Sequence, residues 1–232
     1  MSHIAPQEGE APQTVKLVPE QQAMLDVIKF AEGTGTPDSY KTWFGNVPFE
    51  NPTKLTIGQI GPAQDRFFKA GHGTFTDNTG STLRSGVVGA YQMLDPTIHM
   101  KNAGLTLNSP FNQDTQDRLA LEYMRVEAGV TLEMLRKQGF TRQISAMMGK
   151  PWASFWGSKH NQKTKEFSVL RDLFNKRLAY HKKATWPDRA LTTLNKKYRD
   201  VNPEPRNVEI KKTPDIMDHA RNAMQILFNP GI

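Results

Sequence analysis

The chain has 232 residues, 37% of them hydrophobic and 23% charged, enough for one sizeable core or for a core domain with an appendage. It contains no cysteine, which excludes disulfides, thiolate metal sites and a cysteine nucleophile, and no apolar run reaches the length of a bilayer span. The formal net charge of +7 is unevenly placed: residues 1–158 hold 14 Lys+Arg against 15 Asp+Glu, whereas residues 159–232 hold 16 against 8.

Residues 1–18, with Pro6 and Pro12 and no periodicity, are expected to form a flexible arm. They lack the basic start and apolar stretch of a secretory signal, so delivery outside a cytoplasm would need a membrane pore made by another protein, or carriage in a particle. From Glu20 onward Ala23, Met24, Val27, Ile28 and Ala31 share one helical face, with Pro19 in the first turn and Leu25 and Phe30 widening the face. Gly33 and Gly35 end this helix and leave Glu32 at its terminus. A carboxylate there can point into whatever cleft the next segment builds.

Between Gly33 and Gly89 the chain is rich in glycine, and Lys54–Ile60 alternates apolar and polar residues like a strand. Trp43, Phe44, Phe49, Phe67, Phe68 and Phe75 supply apolar mass. The expectation is a small lobe of short strands and loops, with polar Thr74–Ser85 as a mobile loop on a cleft rim. Gly89–Leu94 then opens a helical region. Leu119, Ala120, Tyr123 and Met124 predict a helix over Asp117–Ala128, capped by Asp114 or Thr115. Val130–Gly139 and Thr141–Gly149 read as two further helices with glycine stops, and the aromatic turn Pro151–Gly157 closes a domain spanning 19–158.

Beyond it, residues 159–232 read as a basic helical extension. A helix over Gln162–Lys183 and a short one over Pro187–Arg199 precede a proline-rich linker near 201–214 and a last helix over Pro214–Leu227. Its charge suits nucleic acid, a membrane surface or an acidic wall polymer, or simply a solvated helical face. Tyr180, Trp186 and Tyr198 interleave with the cations as base-stacking residues would, although no recognised nucleic-acid motif accompanies them. The fold class is α+β, mainly helical.

For chemistry, a carboxylic acid held partly out of water can protonate the leaving oxygen of a glycosidic bond, and Glu32 has that setting. A solvated helix-terminal glutamate is the plain alternative. The six histidines show no metal-ligand spacing, and neither a phosphate-binding glycine loop nor a nucleophile elbow is present. No cofactor is implied.

Five segments bear on the choice. Met24–Thr34, with Ala31-Glu32-Gly33-Thr34 at its end, resembles the catalytic helix of the lambda-type phage endolysins. Tyr40-Lys41-Thr42-Trp43-Phe44-Gly45 resembles their next segment, and Gly89-Ala90-Tyr91-Gln92 their Gly-Arg-Tyr-Gln motif. Phe111 with Gln116–Leu121 resembles their Gln-Asp helix, and Trp152-Ala153-Ser154 their closing Trp-Ala-Ser. The matches keep the family's order over roughly residues 20–158. They depart from it at Ala90, where the family has arginine, at Asn51-Pro52, where it has Asp-His-Pro, and in an insertion of roughly 25 residues before Gly89.

The resemblance implies a lysozyme-like two-lobed domain and a lytic transglycosylase acting on peptidoglycan glycan strands. Glu32 would then be the single catalytic acid and base, and the product would end in 1,6-anhydro-muramic acid. A hydrolytic muramidase would need a second carboxylate about 5–9.5 Å away, for which Asp38 and Asp77 are the candidates. Tyr91 and Gln92 could hydrogen-bond the sugar, while Tyr40, Trp43, Tyr123 and Trp152 could stack on it or fill core. A reading of a different class is a virion structural protein that carries this domain and binds other virion proteins through 159–232.

Overall fold

The computed structural model describes residues 16–36, 38–76, 82–158 and 164–184. The expected arm before residue 16, Asp77, the helices over Pro187–Arg199 and Pro214–Leu227 and the linker near 201–214 lie outside the described residues, while residues 164–184 carry 6 Lys+Arg against 2 Asp+Glu, half of the extension's net charge.

The centre of the fold is α1 (Pro19–Ala31). Pro19 occupies its first turn, and Gln21 Oε1 accepts the Val18 N–H at 3.1 Å. Ala23, Met24, Val27 and Ile28 are wholly buried, as their spacing predicts. Phe30 lies at the edge of that face, where the chain reverses and leaves it 38% exposed; it does not widen the buried stripe as expected.

The segment expected to be a strand is a helix, α2 (Ile57–Lys69). Thr56 and Gln59 close a capping box at its start, Thr56 N–H donating to Gln59 Oε1 at 2.9 Å. Ile57, Ile60, Ala63 and Phe67, spaced at three and four, are fully buried. Burial of that stripe outweighs the poor helix propensity of Gly58, Gly61 and Pro62. A trace of the expected strand survives just ahead of it, where Phe111 N–H donates to Leu55 O and Ile57 N–H to Ser109 O.

Of Thr74–Ser85, expected as a rim loop, the described ends are paired strands. Strands β1 (Thr74–Thr76) and β2 (Thr82–Arg84) pair antiparallel, with Thr74 opposite Arg84 and Thr76 opposite Thr82. Gly73, just before β1, has φ +69°, and a Cβ there would lie 2.8 Å from the Phe67 ring. Gly89–Leu94 is likewise a tight turn and not a helix start. Val88 and Met93 pair across it, and Gly89 (φ +79°) and Gln92 (φ +47°) reverse the chain.

The second half is helical. α3 (Gln113–Val126) is capped by Asn112, two or three residues earlier than the expected Asp114 or Thr115, its Oδ1 accepting the Thr115 N–H at 3.1 Å. Thr131 and Thr141 cap α4 (Leu132–Gln138) and α5 (Arg142–Met148), which stop at Gly139 and Gly149. α6 (Phe167–Lys183) packs along α1. Its Leu170 and Phe174 are 0% exposed, and Phe174 stacks on Phe140 at 5.8 Å. A helix that composition places in the extension thus completes the same core. Charge reinforces the seam, because Asp26 of α1 meets His181 Nε2 at 2.9 Å, Lys29 Nζ at 3.2 Å and Arg177 Nε at 3.6 Å. Among the described residues no helix is long and apolar enough to cross a membrane.

Candidate active site

α1 ends in a Schellman closure. Gly33 takes φ +71°, which glycine adopts at the least steric cost. Gly33 N–H then donates to Phe30 O at 3.2 Å and Thr34 N–H to Lys29 O at 2.9 Å. Glu32 is therefore the last residue before the reversal, and its own N–H is fixed on Ile28 O at 2.9 Å. Its half-buried carboxylate accepts the Ser154 hydroxyl on Oε1 at 2.5 Å, a bond that joins residues 122 apart in the chain.

The turn at 89–92 forms the adjoining surface, and nearly every one of its backbone groups is held from a different direction. Gly89 N–H donates to Thr42 O at 2.7 Å. Ala90 O accepts Thr34 Oγ1 at 2.5 Å, which ties the turn to the Glu32 loop. Tyr91 O accepts Trp152 Nε1 at 3.1 Å, which ties it to the segment carrying Ser154. Gln116, fully buried on α3, accepts Ala90 N–H on Oε1 at 2.9 Å and donates Nε2 to Tyr40 O and Phe111 O, each at 3.0 Å. A Cβ on residue 89 would come within 2.9 Å of the Gln116 amide carbon, so glycine is required there.

Behind this surface the Tyr91 and Tyr40 hydroxyls both donate to Asp117 Oδ1, at 2.5 and 2.8 Å. Burial pushes the Asp117 carboxyl up. The two tyrosine hydroxyls and the Lys29 charge pull it back without cancelling the rise. Burial, and then the Asp117 charge, push both tyrosine hydroxyls well above their ordinary value, so they stay protonated donors. The triad backs the turn from within, with Tyr91 and Asp117 buried and Tyr40 half-buried.

These distances correct part of the expected substrate surface. Tyr91 is 0% exposed with its hydroxyl committed to Asp117, and Trp152 is 4% exposed with its N–H on Tyr91 O. Trp43 is 1% exposed in the small lobe, stacked on Phe67 at 5.1 Å with Nε1 on Glu50 O at 2.6 Å. All three are wall or core, not sugar platforms. Tyr40 is half-buried, and the Lys29 ammonium lies 5.5 Å over its ring. Tyr123 sits between His99 and Trp152, its hydroxyl on Asp95 O at 2.8 Å. Gln92 is half-buried at the turn, its Nε2 on Gly89 O at 2.9 Å. Ala90 is fully buried, so no side chain reaches out from the place where the family motif has arginine.

Of the two candidate second carboxylates, Asp38 is 77% exposed and pairs with Lys41 at 2.7 Å, and Asp77 is outside the described residues. Among those residues no group of three or more His, Asp or Glu converges as metal ligands would. Sequence chemistry does not single out Ser154, Thr34, Gln116 or Asp117 as site residues. All four stand in the quoted motifs, so motif membership is the signal available.

A sequence model of the Endolysin family matches residues 22–180, well past the aromatic turn and into α6. No curated protein matches the chain. Among solved structures, bacteriophage lambda lysozyme complexed with a chitohexasaccharide is similar, with a TM-score of 0.51 and 22% sequence identity over 70% of this chain and 96% of that one. At that identity the likeness establishes the fold, which is lysozyme-like.

Proposed function

The chain belongs to the Endolysin family, whose enzymes act on bacterial peptidoglycan, and from that premise we propose that it is a lytic transglycosylase with Glu32 as its one catalytic acid and base. Glu32 protonates the oxygen linking muramic acid to the next glucosamine, and the bond from C1 to that oxygen breaks. The resulting carboxylate takes the proton of the C6 hydroxyl on the same muramic residue as O6 closes on C1. The products are a free glucosaminyl 4-hydroxyl and a 1,6-anhydro ring, with no water consumed.

The observation that carries this reading is the fixed carboxylate of Glu32. Three backbone hydrogen bonds set where the side chain starts, and Ser154 sets where it points. A one-acid scheme also suits the neighbouring carboxylates. Asp117 is covered by two tyrosines, and Asp38 is turned to Lys41 in solvent. The oligosaccharide bound to the lambda lysozyme supports a glycan as substrate here, with Tyr40, Gln92 and Tyr123 as the contacts that remain partly accessible.

Digestion of purified peptidoglycan, with muropeptides analysed by mass, tests the reaction. Anhydro-muramic ends are expected, and Glu32→Gln should lower their formation by roughly a thousandfold, in the range that general acid–base groups supply, with an unchanged melting temperature. Reducing muramic ends would instead make the enzyme a hydrolase.

A further inference from the structure

The turn that meets the Glu32 loop at its tip also builds a second feature at its base. Below the Val88–Met93 pair, Gln64 of α2 donates Nε2 to both Gly86 O and Leu94 O, at 2.9 and 2.7 Å. α2 is thereby fastened to the base of the turn, and a cavity of about 600 Å³ lies between them. Ile57, Phe68 and Leu94 make it apolar, and Leu107 at its edge is 51% exposed. Gly61 leaves the α2 side bare, since a Cβ added there would meet nothing within 4 Å.

Two charges face this apolar bed. The Arg84 guanidinium lies 5.7 Å from the Phe68 ring, and Asp95 is held in place by the Thr97 N–H and hydroxyl at 2.8 and 2.7 Å. Such a site, with a separate cation and anion and little other free hydrogen-bonding capacity, suits a short peptide with small apolar side chains, free carboxylates and an amine. It suits a sugar poorly. Peptidoglycan carries such a peptide on the lactyl group of its muramic residues, with alanyl methyls, carboxylates and, in many walls, the amine of a diamino acid.

We propose that this cavity binds the peptide stem of peptidoglycan, with Arg84 taking a stem carboxylate, Asp95 the diamino-acid ammonium, and Phe68, Leu94 and Leu107 the alanyl groups. The inference rests on reading the Glu32 site as glycan-cleaving. Gly86 is four residues from Ala90, so the base and tip of the turn lie at most about 13 Å apart, and a four-residue stem spans about the same. The glycan is then held at the tip of the turn and its stem at the base, and one rigid hairpin sets the register between them.

The test uses the full chain and the tetrapeptide L-Ala-γ-D-Glu-meso-diaminopimelyl-D-Ala as probe, with binding followed by calorimetry. Parallel digests compare stem-bearing glycan with strands stripped by an amidase. The wild-type protein is expected to bind the tetrapeptide and to show a kcat/KM about tenfold higher on stem-bearing strands, the difference lying in KM. Gly61→Trp, which fills the cavity from an open helical position, should lose both the binding and the preference while cleaving stripped strands at the wild-type rate. Gly61→Ala should keep both, and Arg84→Gln should weaken tetrapeptide binding about tenfold. No tetrapeptide binding, binding undiminished in folded Gly61→Trp, or displacement of the tetrapeptide by chitohexaose would overturn the assignment. Failure to cleave either substrate, with tetrapeptide binding intact, would count against the role of Glu32 and leave the cavity's assignment standing.

Discussion

The Glu32 wall and the small lobe beside it are held together by different physics. In the wall, four segments far apart in the chain are tied across their buried faces by directed hydrogen bonds: Ser154 to Glu32, Thr34 and Gln116 to Ala90, Trp152 to Tyr91. In the lobe, Trp43, Phe49, Phe67 and His72 meet through ring contacts of 5.1 to 5.8 Å. Hydrogen bonds are selective in angle and modest in net energy, whereas aromatic burial is large in energy and tolerant of angle. The wall therefore fixes geometry and the lobe supplies stability, so damage to each should be read out on a different scale.

The largest expected change in stability is in the lobe. Phe67→Ala removes a fully buried ring from the centre of the cluster and should cost about 3–5 kcal/mol in chemical denaturation. Measured on folded protein below its midpoint, cleavage should change little, and a rate loss as large as the stability loss would erase the distinction. Next is Gln116→Leu, which fits the volume but strands three backbone groups. It should cost about 2–4 kcal/mol and, unlike the lobe variant, lower the rate on folded protein by roughly tenfold through movement of the turn.

A smaller effect probes the scaffold behind both regions. Burial works to raise the Asp26 carboxyl, but the His181 hydrogen bond and the charges of Lys29, Arg177 and His181 outweigh it and hold the carboxyl below its ordinary 3.8. A depressed folded value means the stabilisation is complete above the unfolded value and disappears as pH falls through the folded one. Thermal melts from about pH 5 down to about pH 2 should show wild-type protein losing stability more steeply than Asp26→Asn, and parallel curves would remove Asp26 from the seam's energetics. The least stability effect is expected of Ser154→Ala, under about 1 kcal/mol, with a roughly tenfold loss of rate because Glu32 is no longer aimed.

The same division explains what was legible in the sequence. α1, its glycine stop and Glu32 at the end follow from local spacing, and so do the glycine stops of α4 and α5. α2 was hidden because Gly58, Gly61 and Pro62 argue against a helix, and only burial of Ile57, Ile60, Ala63 and Phe67 against the rest of the chain decides it. The turn at Gly89 looked helical because its form depends on Gln116, 26 residues on from Ala90. The contact of Ser154 with Glu32, like the burial of Tyr91 and Trp152, is a tertiary fact with no local signature. Residue type and position mark Glu32 as the candidate acid, but the groups that hold it are visible only in place.

The packing of α6 on α1 has a consequence in time. Asp26 and His181 are 155 residues apart, and at about 5–20 residues per second a ribosome needs roughly 8–30 s to make the chain between them. Throughout that interval the apolar face of α1 lacks Leu170 and Phe174, and the loop that carries Glu32 hangs from a helix without its final partner. Long-range closure of this kind is slow and comes late. A nascent chain should therefore carry its acid for most of synthesis without a competent site, and a chain released after the aromatic turn at Ser158 should be a target for proteases, not a smaller enzyme.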